Sequence, residues 1–84
     1  MKRYLSERRD DAHQYPYSYQ EIVNRFNRGT LWNRREYELG DNVAAKLIRY
    51  FKGKYPDYDE NMDEVRFYDG PNAITITDYY LYTE

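Results

Sequence analysis

The sequence predicts an α+β fold in which about three N-terminal helices pack on a C-terminal antiparallel β-hairpin or small sheet. Three observations carry this prediction. Helical periodicity with capping signals fills residues 17–53, apolar residues alternate with a period of two after residue 64, and a Gly-Pro turn separates the two alternating runs. Helices followed by strands, without regular βα alternation, are typical of the α+β class.

The chain is short, which limits the kinds of site it can build. It has 84 residues, and a small domain buries only about 60% of the surface of its unfolded chain. We therefore expect one domain at residues 17–84 and no deep catalytic pocket. Residues 1–16 read as an N-terminal arm, because they offer few apolar anchors and Pro16 disfavours helix at the residue before it.

The first predicted helix spans residues 19–28. Ser18 and Glu21 have the spacing of a capping box, in which each side chain accepts a hydrogen bond from the other residue's backbone amide. Gly29 stands where a left-handed residue commonly ends a helix. A second, shorter helix is expected after Thr30, and a strand at residues 36–39 is the alternative.

The third predicted helix, residues 42–53, is the strongest amphipathic pattern in the chain. Its apolar side chains fall within an arc of roughly 160°; they are Val43, Ala44, Leu47, Ile48, Tyr50 and Phe51. Asp41 is expected to cap its start, and Gly53 to end it. The apolar side of this helix must be covered by the rest of the domain.

The C-terminal part predicts a hairpin. Residues 64–68 and 73–77 alternate between apolar and polar side chains, and the turn at residues 69–72 joins them. Asp78 would break the alternation, so we expect a strand end or bulge there and a new strand phase at residues 79–82. That strand would be exposed and able to pair with a copy of itself, so both monomer and homodimer remain open.

The charge is distributed unevenly along the chain. The net charge is −2, but residues 1–54 carry 12 basic and 7 acidic side chains, whereas residues 55–84 carry 1 basic and 8 acidic. Two interpretations remain open: the halves present separate surfaces to partners, or they attract each other within the fold. Twelve tyrosines add aromatic surface of the kind enriched in protein interfaces.

The acidic half interleaves carboxylates with tyrosines, and we predict that it binds a basic partner protein. Carboxylates match arginine side chains, and aromatic rings suit interface cores. The candidate protein-binding residues are Tyr55, Asp57, Tyr58, Asp59, Glu60, Asp63, Glu64, Tyr68 and Asp69.

In its size, its lack of cysteine and this composition, the chain resembles the small inhibitors that phages and mobile elements encode, such as anti-CRISPR and antirestriction proteins. The resemblance implies a non-enzymatic protein that blocks the basic groove of a nucleic-acid-handling complex. These inhibitors share no common fold, so the resemblance transfers no residue role.

An alternative prediction is a winged-helix-like DNA-binding protein or transcriptional regulator. Three helices followed by a hairpin is the element order of many winged-helix domains. The basic side of the helix at residues 42–53 would then bind phosphates, through Lys46, Arg49, Lys52 and Lys54.

Other functions have little support in the sequence. His13 is the single histidine, and no nucleophile can be assigned beside it, so we expect no catalytic residue, cofactor or enzyme activity. The acidic tract lacks the glycine that a calcium loop needs, since Met62 stands at that position, and we expect no metal site. Without cysteines or a long apolar run, a cytoplasmic location and no membrane association are expected.

Overall fold

The computed structural model describes residues 16–32 and 34–84, which form two helices and one five-stranded antiparallel sheet. In chain order the elements are α1 (Tyr19–Arg28), β1 (Glu36–Glu38), α2 (Val43–Lys52), β2 (Tyr58–Glu60), β3 (Glu64–Asp69), β4 (Asn72–Thr77) and β5 (Tyr80–Thr83). The strand order across the sheet is β1-β5-β4-β3-β2. The α+β class is therefore confirmed. The predicted arm lies outside the described residues, except for Pro16.

Helix α1 has the predicted bounds and the predicted caps. The Ser18 hydroxyl accepts a hydrogen bond from the Glu21 amide at 3.2 Å, and a Glu21 carboxylate oxygen accepts one from the Ser18 amide at 2.9 Å. Gly29 adopts the left-handed conformation, with φ at 77°, and ends the helix. Both ends of α1 are thus specified locally.

Helix α2 places its apolar side against the sheet as predicted, but its start differs. Asn42 precedes the first helical residue in a left-handed conformation, and no side chain caps the helix. The expected cap by Asp41 is therefore wrong. Leu47 and Phe51 are completely buried, and four neighbouring rings lie within 6.2 Å of the Phe51 ring: Phe26, Tyr50, Tyr55 and Phe67.

The prediction of three N-terminal helices is wrong. Within the described residues there are two helices, and β1 separates them in the chain. The segment expected to form a short helix contains β1 instead, which was the stated alternative. Tyr37 explains why this segment is a strand: it is completely buried between two exposed glutamates, which is the alternation of a strand. Its hydroxyl donates a 2.6 Å hydrogen bond to the Leu31 carbonyl.

The predicted hairpin is present as β3 and β4, joined by a two-residue loop. Phe67 lies opposite Ile74, and Val65 lies opposite Ile76, and these four buried side chains face the helices. The sheet is wider than predicted because β2 adds to β3, while β5 and β1 add to β4. Strand β5 lies inside the sheet between β1 and β4, so the expectation that it is an exposed strand able to pair with a second copy is wrong.

Candidate functional site

Alternation along β2 and β3 divides the predicted protein-binding residues between the two sides of the sheet. Asp59, Glu64 and Tyr68 lie on the side turned away from the helices, which we call the open face. Four others lie on the side that carries the helices: Tyr55, Tyr58, Glu60 and Asp69. Asp57 precedes β2, and Asp63 lies in the turn that follows it. The acidic half therefore does not form one continuous surface.

On the helix side, the predicted acidic residues already have partners within the chain. Glu60 forms a 2.9 Å ion pair with Lys52, and the hydrogen bond to Glu60 raises the pKa of that lysine. The Tyr55 hydroxyl donates to a carboxylate oxygen of Asp69 at 3.2 Å. Burial, followed by the negative charge of Asp69, raises the pKa of Tyr55 to about 12. These contacts hold the chain after α2 against the sheet.

The strand register places five residues in one row across the open face. From one sheet edge to the other, the row is Glu36, Tyr82, Thr75, Arg66 and Asp59. Direct cross-strand partners point to the same side of a sheet, and neighbouring strands lie about 4.8 Å apart, so the row is about 19 Å long. Glu38 lies beside Tyr80, and Glu64 lies beside Thr77, in a parallel row.

The open face is strongly acidic. Its carboxylates are those of Glu36, Glu38, Asp59, Glu64 and Glu84, and Arg66 is the one basic residue among the strand residues on this side. Arg66 donates to Glu84 at 2.7 Å, and the Tyr68 hydroxyl donates to Asp59 at 2.6 Å. That hydrogen bond raises the pKa of Tyr68. Within the described chain, the carboxylates of the remaining three glutamates accept no hydrogen bond.

Tyrosine rings interrupt the acidic surface. Tyr80 and Tyr82 point the same way from β5, with ring centroids 6.1 Å apart, and each residue is more than a third exposed. The Thr75 side chain beside Tyr82 is 7% exposed, and its hydroxyl has no hydrogen-bond partner among the residues described. The open face thus combines exposed rings with carboxylates and one buried hydroxyl that have no hydrogen-bond partner among the described residues.

The opposite side of the molecule carries the predicted nucleic-acid-binding residues. Lys46 and Arg49 project from α2 and, together with Tyr19 and Tyr50, line a shallow cleft of about 330 Å³. The Lys54 ammonium lies 5.3 Å from the centre of the Tyr50 ring. Three of the four predicted cations therefore lie around Tyr50. Lys52 lies with Arg49 on a neighbouring part of α2 and is directed toward β2 by its ion pair with Glu60.

Comparisons with known proteins identified no relative of this chain. No protein-family model, curated protein or solved structure matches the chain. Functional inference therefore rests on the surfaces themselves.

The sequence prediction missed the half of the open face formed by β1 and β5. Glu36, Glu38, Tyr80 and Tyr82 lie far apart in the chain, and β1 falls in the half with excess positive charge. A signal was present: in both strands, polar or tyrosine residues flank one buried apolar residue. Only the pairing of these strands, which the sequence does not reveal, brings the four side chains together.

The described residues contain no group of three or more side chains able to hold a metal ion. His13 lies outside them. Neither helix of the described chain is long and apolar enough to cross a membrane.

Proposed function

We propose that this chain is a non-enzymatic protein-binding module whose open face docks onto a basic surface of a partner protein. The observation that carries the proposal is the concentration of five carboxylates around a single arginine on one side of the sheet. Complementary charge accelerates encounter and disfavours wrong partners. Exposed tyrosines supply apolar contact area with few rotatable bonds, which limits the entropy lost on binding.

A specific form of this proposal is inhibition of a nucleic-acid-handling complex, of the kind found among phage and mobile-element inhibitors. In such a complex the carboxylates would occupy positions that phosphates take, and the tyrosine rings would occupy positions that stacked bases take. The mechanism is occlusion of the groove and needs no chemical step. The acidic open face with its exposed tyrosines supports this form, as does the compositional resemblance.

Affinity capture from the native host, with matched variants, tests the proposal. The double variant Glu36→Lys/Glu38→Lys reverses two carboxylates of the open face. The control Asp41→Lys/Asp78→Lys changes the net charge equally in exposed turns, at residues that are not candidate binding residues. We expect the parent and the turn variant to retain a basic partner that the open-face variant loses. Equal retention by both folded variants would contradict docking through this face.

A second candidate is binding of an anionic ligand, such as nucleic acid, by the basic side of α2. The cleft between Tyr19 and Tyr50, with Lys46 and Arg49 on its rim, favours this candidate, since rings and cations together suit single strands. Its winged-helix basis is lost, because the described residues lack the three-helix order. A gel-shift assay at low salt, with duplex and single-stranded probes, tests it against a Lys46→Ala/Arg49→Ala variant.

A further inference from the structure

We infer that the part of the open face formed by β1 and β5 binds an arginine side chain of the partner. The site consists of Glu36, Glu38, Tyr80 and Tyr82, which we call the β1–β5 quartet. This inference rests on the proposed function and specifies the chemistry of its central contact. It concerns residues that the pattern of acidic residues along the chain does not single out.

The strand register gives the quartet a side-chain spacing that suits a guanidinium group. Glu36 lies directly opposite Tyr82, and Glu38 lies directly opposite Tyr80, so each exposed ring has a carboxylate beside it. Cross-strand neighbours of this kind have Cβ atoms about 4.5–5.5 Å apart. A guanidinium plane stacked on either ring can therefore direct its N–H groups sideways toward a carboxylate.

The chain already contains one example of this arrangement on the same face. The Arg66 guanidinium carbon lies 5.7 Å from the centre of the Tyr68 ring, while the same guanidinium donates to Glu84 at 2.7 Å. Arginine over tyrosine, held by a carboxylate, is thus the contact by which β3 and the C-terminal residue are joined. The quartet has the same tyrosine and carboxylate side chains. No arginine among the described residues forms an ion pair or a cation–π contact with them.

A second, independent observation concerns Thr75, whose buried hydroxyl lies at the centre of the open face. Its side chain lies between Tyr82 and Arg66 in the cross-strand row, and it is more than nine-tenths buried. Its hydroxyl is unpaired within the described chain, although buried polar groups are nearly always hydrogen-bonded. This hydroxyl therefore lies one strand away from Tyr82, as an acceptor without a described partner at the border of the quartet.

Arginine fits the quartet better than lysine. The guanidinium group is planar, is weakly hydrated and donates in a fork that matches a carboxylate, whereas an ammonium group is a strongly hydrated point charge. Both cations gain equally from the net negative charge of the open face. The difference between them therefore measures stacking and fork geometry at the quartet, separately from general electrostatic attraction.

The test is a titration of the isotopically labelled full chain, followed by NMR, with two Gly/Ser peptides that carry either four arginines or four lysines. We expect the arginine peptide to bind about 3-fold to 10-fold more tightly, with the largest amide shifts in β1 and β5. Tyr82→Leu should abolish most of this preference while leaving lysine-peptide affinity nearly unchanged. Tyr79→Leu, in the exposed turn before β5, is the matched control and should keep the preference.

The outcomes separate this inference from the proposed function. Equal affinity for the two peptides, or shifts confined to β2 and β3, would overturn arginine binding at the quartet and leave acidic docking intact. Binding of neither peptide at low salt would overturn both. Glu36→Gln/Glu38→Gln should weaken both peptides, because it removes charge that either cation uses.

Discussion

Lys52 donates to Glu60 across 2.9 Å, and this ion pair joins the last turn of α2 to the edge strand β2. The same ammonium group lies 5.3 Å from the centre of the Tyr58 ring. A lysine predicted to bind phosphate and two residues predicted to bind a partner therefore contact one another. Part of the charge asymmetry along the chain is consequently satisfied within the fold. Among the described residues, three glutamates of the open face accept no hydrogen bond: Glu36, Glu38 and Glu64.

The buried stripe of α2 should dominate stability. Leu47 is completely buried, so we expect Leu47→Ala to lower the free energy of unfolding by about 2–5 kcal/mol through lost burial and a residual cavity. Urea unfolding followed by circular dichroism measures it. Lys46→Ala, on the exposed side of the same helix, should change stability by less than about 0.5 kcal/mol. Similar losses in both variants would contradict the orientation of α2.

The hydrogen bond from Tyr37 to the Leu31 carbonyl should stabilise the segment between α1 and β1. Tyr37→Phe keeps the ring but leaves a buried carbonyl without this donor, so we expect a loss of about 1–3 kcal/mol. Thermal unfolding measures the loss. Tyr79→Phe, on a ring that is 70% exposed, is the matched control and should have no measurable effect.

Stability should decline at alkaline pH partly because of Tyr55. Burial and the Asp69 carboxylate raise its pKa in the folded chain to about 12, above the value of about 10 for an unfolded tyrosine. Its stabilising contribution is therefore complete below pH 10 and is lost as the pH rises toward 12. Urea midpoints at pH 9, 10 and 11 should fall less in Tyr55→Phe than in the parent. Parallel declines would show that Tyr55 ionises alike in both states.

The two sides of the molecule should be separable by mutation. We expect Glu36→Lys/Glu38→Lys to lower the association rate with a basic partner more at low salt than at high salt, since screening weakens long-range attraction. Lys46→Ala/Arg49→Ala should leave that rate unchanged or slightly higher. Stopped-flow measurements over a range of ionic strengths test this. Loss of partner binding in the Lys46→Ala/Arg49→Ala variant alone would favour the basic side of α2 as the functional surface.

Features whose signals lie close together in the chain were predictable. The capping box of Ser18 and Glu21 and the left-handed Gly29 specify the ends of α1 within a dozen residues. The apolar stripe of α2 follows from helical periodicity, and the two-residue loop with alternating flanks specifies the hairpin of β3 and β4. Each depends on hydrogen bonds or side-chain spacing within one element or one tight turn.

By itself, the sequence determined the α+β class, both helices, the central hairpin and the excess of acid in the C-terminal half. Only the tertiary structure decided which acidic side chains share a surface, because side-chain alternation places Asp59 and Glu60 on opposite sides of the sheet. It also placed Glu36 beside Tyr82, two residues that lie 46 positions apart in the chain. Such pairing depends on long-range strand order, and no local propensity encodes which distant strand a short segment will join.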